Sequence, residues 1–157
     1  MDKGRRLVSA AASVLVMLAA GGCGGGGTSP ASVEKKASTL TQQTLDAIRP
    51  DIGPATTSVD HQGWKSCGTE TPGDHEFEYT YILKLNVPVQ KSKAVMAAAK
   101  AHFAKEGYVP DPPQSARAGA TEAHSTWWVG VGVDNGNKSM FISIDSGCVS
   151  TSHDPKT

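Results

Sequence analysis

Three cysteines, at positions 23, 67 and 148, are the side chains of this 157-residue sequence best suited to covalent chemistry. A thiol can be alkylated, can pair with a second thiol, or can hold a metal as the thiolate. Cys67 and Cys148 have no CxxC partner and no His at ligand spacing, so a metal site has no motif behind it. The histidines, at 61, 75, 102, 124 and 153, form no HExxH and no acid–base motif. On a strand, His75 of HEFE shares a side with Phe77 while Glu76 and Glu78 share the other. The three cannot meet at one metal without a bulge, and a solvated strand face is the simpler reading. His102 falls on an apolar helical stripe, as a core-edge residue rather than a base. Gly130 and Gly132 alternate with valines instead of opening a helix, which argues against a phosphate cradle. GCVS at 147–150 lacks the surroundings of a nucleophile elbow, and DNGNK shares only two letters with a calcium loop. The expectation is therefore no enzyme, no metal and no cofactor.

Cys23 is different, because it ends the only long apolar run. Met1 to Arg6 carries Lys3, Arg5 and Arg6 against Asp2; Leu7 to Ala20 is uncharged and almost wholly apolar; Gly21, Gly22, Cys23 and four more glycines follow. Basic, then apolar, then small is the layout of a secretory signal. Its apolar stretch of 14 residues is short of the roughly 20 that cross a bilayer core. Ala20-Gly21-Gly22-Cys23 resembles the lipobox of bacterial lipoproteins, with Ala20 where Leu is usual and Leu18 two places earlier. The resemblance implies removal of residues 1–22 and alkylation of the Cys23 thiol by a diacylglyceryl group bearing acyl chains such as palmitate. A plain signal with a small-residue cleavage site is the alternative. Each buried methylene contributes about 0.8 kcal/mol, and two chains suffice for stable anchoring. Residues 23–31 then read as lipidated Cys and glycine-rich tether, and 32–157 as one extracytoplasmic domain.

Loss of residues 1–22 would leave 135 residues with 12 Lys plus Arg and 14 Asp plus Glu. No clustered basic field survives, which excludes a nucleic-acid partner and a polybasic membrane surface. An exported chain matures where thiols oxidise, so Cys67 and Cys148 are expected to pair. The 81-residue separation corresponds to about 4.5 kcal/mol in the chain-entropy account, an upper figure.

The elements follow from periodicity. Residues 32–48 place Val33, Ala37, Leu40, Thr44 and Ile48 at helical steps, ending at Pro50. Residues 54–68 read as loop with a weak strand into Trp64 and Cys67. Residues 75–87 alternate, with Phe77, Tyr79, Tyr81, Leu83, Leu85 and Val87 on the buried side. Residues 90–106 are Ala-rich and helical, with Val95, Ala98, Ala99, His102 and Phe103 in a stripe and Gly107 as terminator. Residues 110–121 read as loop from their prolines and small residues. In residues 125–148, Asn135-Gly136 suits a two-residue type I′ turn. That turn pairs Val131 with Met140, Val129 with Ile142 and Trp127 with Ile144 on one face, and Gly132 with Ser139, Gly130 with Phe141 and Trp128 with Ser143 on the other. Cys148, in phase with Met140, Ile142 and Ile144, is expected to point inward.

The fold class is α+β, with two helices packed on one face of an antiparallel sheet of three to four strands. This organisation resembles small exported lipoproteins of high-GC Gram-positive bacteria, in which a glycine-rich tether precedes a compact two-cysteine domain, most with no assigned activity. On the outer face the glycines leave a shallow gap bordered by Trp128 and Phe141, with Ile82 nearby. Either the aromatics cover bare glycine backbone, or they form a platform for a glycan or an envelope protein partner. The function expected is a lipid-anchored, extracytoplasmic binding or scaffolding domain. The rivals are an envelope enzyme or accessory assembled from distant residues, and a passive structural protein.

Overall fold

The computed structural model describes residues 27–68, 76–114, 116–134, 136 and 139–155. Cys23, His75 and Asn135 lie outside them. Helix α1, Pro30–Ile52, starts where its sequence allows: the Ser29 side chain accepts the Ser32 N–H, and Pro30 takes the first turn, where a missing N–H costs nothing. Val33, Ala37, Leu40, Thr44 and Ile48 are buried as the periodicity requires. Thr41 and Thr44 can join this face because their hydroxyls donate to the carbonyls of Ala37 and Leu40, at 2.9 and 2.8 Å. Pro50 does not end the helix. It forgoes the bond to the Asp46 carbonyl, yet the chain stays helical to Ile52, which is buried. That last stretch is closed by Gly53 N–H on the Arg49 carbonyl and by Lys91 Nζ on the Ile52 carbonyl, both at 3.0 Å.

The strands are β1 (Thr57–Ser66), β2 (Glu76–Leu85), β3 (Val109–Pro110), β4 (Arg117–Thr121), β5 (Trp128–Asp134) and β6 (Ser139–Ser150). Helix α2, Ser92–Lys105, lies between β2 and β3 and buries Val95, Ala99 and Phe103. Gly107, at φ 78°, turns the chain after it. These six strands pair antiparallel throughout, in the order β1-β2-β6-β5-β4-β3. Helix α1 packs on β2 and β6, and α2 on β3, β4 and β5.

The fold is thus α+β with two helices and an antiparallel sheet, and the sheet has six strands, not three to four. Strand β1 is a full ten-residue edge strand where only a weak one was expected. Strand β4 lies in the segment read as loop: Ala118 and Ala120 are buried and Gly119 points the other way, an alternation of residues too small to register as hydrophobic.

The β5–β6 register also departs from expectation. Val129 faces Ile144, Val131 faces Ile142 and Val133 faces Met140, while Gly130 faces Ser143 and Gly132 faces Phe141. Trp127 precedes the strand, and Trp128 faces Asp145. The last pair, Asp134 with Ser139, leaves four residues in the connection instead of two. A shift of two keeps every side chain on its expected face, since the strand period is two.

A bulge in β6 overturns the inward placement of Cys148. Thr80 pairs with Asp145 but Glu78 pairs with Cys148, so Ser146 and Gly147 oppose Tyr79 alone. Gly147 has φ 59°, and Ser146, fully buried, fills the gap by accepting the Tyr79 N–H at 2.8 Å. The phase inverts: Val149 packs on the core, and Cys148 lies on the exposed side. There it is bonded to Cys67, with Cα atoms 5.9 Å apart.

Structure begins before residue 32. Thr28 forms a parallel bridge with Thr151, through Thr28 N–H on the Ser150 carbonyl (2.8 Å) and Ser152 N–H on the Thr28 carbonyl (3.1 Å).

Candidate functional site

The outer face of the sheet, opposite the helices, divides the three residues singled out from sequence. Ile82 and Phe141 come together, with Asp60, Lys84, Val133, Asp134 and Ser139, around an open cleft of about 380 Å³. Trp128 is elsewhere. Its indole lies on Gly119 and Gly130, where a Cβ at either position would overlap the ring. Its Nε1–H donates to Asp111 Oδ2 at 2.8 Å, and the Arg117 guanidinium lies 5.3 Å from the ring centroid. Phe141 likewise lies over Gly132. Compensation of bare glycine backbone therefore accounts for Trp128 and for part of Phe141, while the Phe141 edge facing Ile82 remains part of the cleft.

Two carboxyls, Glu122 and Glu78, are perturbed at separate places. Burial alone would raise the pKa of Glu122, but hydrogen bonds from Lys36 and Ser125, with the Lys36 charge, outweigh it and hold the carboxyl below its ordinary range. Lys36 Nζ is 2.6 Å from Glu122 Oε2 and 4.8 Å from the centroid of buried Trp127. Glu78 moves the other way: its hydrogen bond with Asp145 comes first among the causes, then desolvation and the Asp145 charge, against the opposing charge of Lys65. Burial and the charges of Glu122 and Glu106 raise the Tyr108 pKa.

Among the described residues, the histidines do not converge. His102 packs beside Phe103, with ring centroids 5.8 Å apart, and His153 Nδ1 lies 3.1 Å from the Ser152 hydroxyl. His124, at φ 58°, borders the open hollow that also contains Lys36, Glu122 and Trp127. Among the described residues, no group of three or more His, Cys, Asp and Glu side chains is placed to hold a metal.

A second hollow, of about 490 Å³, was not visible in the sequence. It lies on the helix side of the sheet, between α1 and β1, and is lined by Glu34, Ser38, Gln62, Gly63, Trp64, Tyr79 and Tyr81. Its origin is a mismatch of widths. Six strands about 4.8 Å apart span about 24 Å, and two helices about 10 Å across cover less than that. Helix α1 packs on β2 and β6, so the inner side of β1 is left beside it, not beneath it. The signal available beforehand was Glu34 and Ser38, one turn apart on the polar flank of α1. Nothing in the sequence says which strand they overhang.

No protein-family model matches the chain, and no curated protein matches it. Among solved structures it is similar to the crystal structure of the "putative lipoprotein LppA" from Mycobacterium tuberculosis: TM-score 0.52, 11% sequence identity, 78% of this chain and 79% of that chain covered. At that identity the likeness is one of fold.

Proposed function

We propose that this protein is a bacterial lipoprotein, held by acylated Cys23 on the outer side of the cell membrane, whose folded domain binds an envelope partner and does no catalysis. Four features support the anchoring half: the basic-apolar-small leader, the Ala20-Gly21-Gly22-Cys23 box, the Cys67–Cys148 disulfide suited to an oxidising compartment, and a fold like that of a protein named a lipoprotein. No helix among the described residues is long and apolar enough to cross a membrane.

The binding half rests on one observation: the Ile82–Phe141 cleft joins half-buried apolar side chains to a mixed rim of Asp60, Lys84 and Asp134. An apolar centre within a polar rim is the anatomy of a protein-docking patch. The perturbed carboxyls Glu78 and Glu122 stand on different faces instead of converging in one recess, which favours binding over acid–base chemistry. A passive role is favoured only at Trp128, which its neighbours cover.

Intact-mass analysis of the protein taken from its native membrane tests the anchor. The expected species lacks residues 1–22, carries acyl mass on Cys23 and is oxidised at the other two cysteines. A species that keeps its leader and all three free thiols overturns the reading. For the cleft, a photo-crosslinking side chain at position 82 should give a discrete adduct in cells that Phe141→Ala abolishes. An adduct pattern unchanged by Phe141→Ala would remove the cleft from the account.

A further inference from the structure

We propose that the groove between α1 and β1 is a binding site for a neutral saccharide, with pyranose rings laid against Trp64 and Tyr81. This inference stands independently of the outer cleft and of the anchor.

The groove's volume, about 490 Å³, lies within the range of small-molecule sites. Its walls combine two chemistries. Trp64 and Tyr81 supply ring surface, with buried Tyr79 beneath them, and Glu34, Ser38, Gln62 and the Tyr81 hydroxyl supply hydrogen-bonding groups. A sugar ring presents the complementary pair, C–H faces to lie on aromatic rings and a rim of hydroxyls that both donate and accept. An apolar peptide side chain would strip water from the carboxylate, the amide and the serine without replacing its hydrogen bonds, which is costly.

Charge selects within that class. Among the described residues, Glu34 is the one charged side chain lining the groove, and neither Lys nor Arg lines it. A phosphate, nucleotide or uronic acid would meet an uncompensated carboxylate. A neutral saccharide meets an acceptor that hydroxyls can bind in pairs. The Tyr79 hydroxyl stays protonated at neutral pH, since burial first, then the charge of Glu34 and the nearness of Tyr81, hold its pKa above the usual value.

The platform is also held in place before any ligand arrives. Trp64 leans on Tyr79 with centroids 4.9 Å apart, meets Phe77 edge-on at 6.5 Å, and donates Nε1–H to Glu34 Oε1 at 3.0 Å. A side chain fixed on three sides loses little further freedom on binding. Gln62 sits two residues before it on the same side of β1, opposite Tyr81, and is exposed.

The test uses the full protein, solubilised in a detergent without a sugar headgroup and titrated with neutral gluco-, manno- and N-acetylglucosamine trisaccharides by calorimetry and saturation-transfer NMR. At least one should bind with Kd of about 1 mM or tighter. Gln62→Ala, an exposed change, should weaken it about tenfold at unchanged Tm, the loss of roughly one hydrogen bond. Trp64→Ala should abolish it. The proposal is overturned if none of the three binds by about 10 mM, if binding survives both substitutions, or if an acidic trisaccharide binds more tightly than the neutral ones.

Discussion

Glu78 and Asp145 are joined by a side-chain hydrogen bond, which with desolvation and the Asp145 charge raises the Glu78 pKa. The sign of the resulting pH dependence follows directly. With its folded pKa above its unfolded one, Glu78 contributes stability while protonated and loses it as pH rises through the raised value. Glu78→Gln keeps a donor toward Asp145 and removes the repulsion, so it should raise Tm at neutral pH. The gain should vanish at about pH 4, near the ordinary carboxylate pKa; a thermal-melt series across that range measures it. Glu122 runs opposite. Its lowered pKa contributes stability at neutral pH that is lost as the medium is acidified through that value, and Lys36→Met should remove this acid-side slope. Both groups of the pair are partly exposed, with side chains 40% and 33% accessible, so the effect on Tm is small. The glycines carry larger consequences. A methyl at Gly130 would overlap the Trp128 indole, and Gly130→Ala should destabilise by about 1–3 kcal/mol in denaturant unfolding. The residue scale was partly legible beforehand: the aromatic–glycine relation on the outer face was readable in outline, because both sit in one hairpin. The groove's members come from three elements, and no local pattern joins Glu34 to Trp64.

At the scale of elements, hydrophobic period identified α1, α2, β2, β5 and β6, each of which puts a clear apolar set on one side. It failed where coverage, not composition, decides. Strand β1 is polar because it is an edge whose inner side no helix overlies, and Val59 is accordingly half exposed on it. Strand β4 reads as loop because the close approach of α2 leaves room only for Ala118 and Ala120. The β5–β6 register was off by two for a related reason. A one-residue slip would have exposed the valines, but a two-residue slip leaves burial unchanged, so only the turn could fix it. The β6 bulge likewise needs Gly147 and the buried Ser146 hydroxyl, which look ordinary in sequence. Because the disulfide joins β6 beyond that bulge to the end of β1, it clamps both neighbours of β2 at one end of the sheet. Replacing Cys67 and Cys148 with Ser should cost about 2–5 kcal/mol. Hydrogen exchange should show the loss concentrated at Ser66, Phe77 and Val149, with the β4–β5 ladder little changed.

For the whole molecule, the proposed address rests on charge, hydropathy and small residues in positions 1–23, which read linearly and need no fold. The domain's overall class followed from element order. The number of strands did not, because β1 and β4 carry almost no hydrophobic signal and β3 is only two residues long. Cys23→Ser should move the protein from the membrane pellet to the soluble fraction while leaving its Tm unchanged, as fractionation and a melt would show together. If Cys23 is the anchor, the strand-like seating of Thr28 between Ser150 and Ser152 would set the geometry of attachment. Four residues lie between Cys23 and that fixed point, so the five steps would give an acylated Cys23 a leash of at most about 18 Å. The disulfide end of the sheet would therefore hug the bilayer. Phe141, nine residues back along β6, would ride about 30 Å higher, turned toward whatever lies beyond.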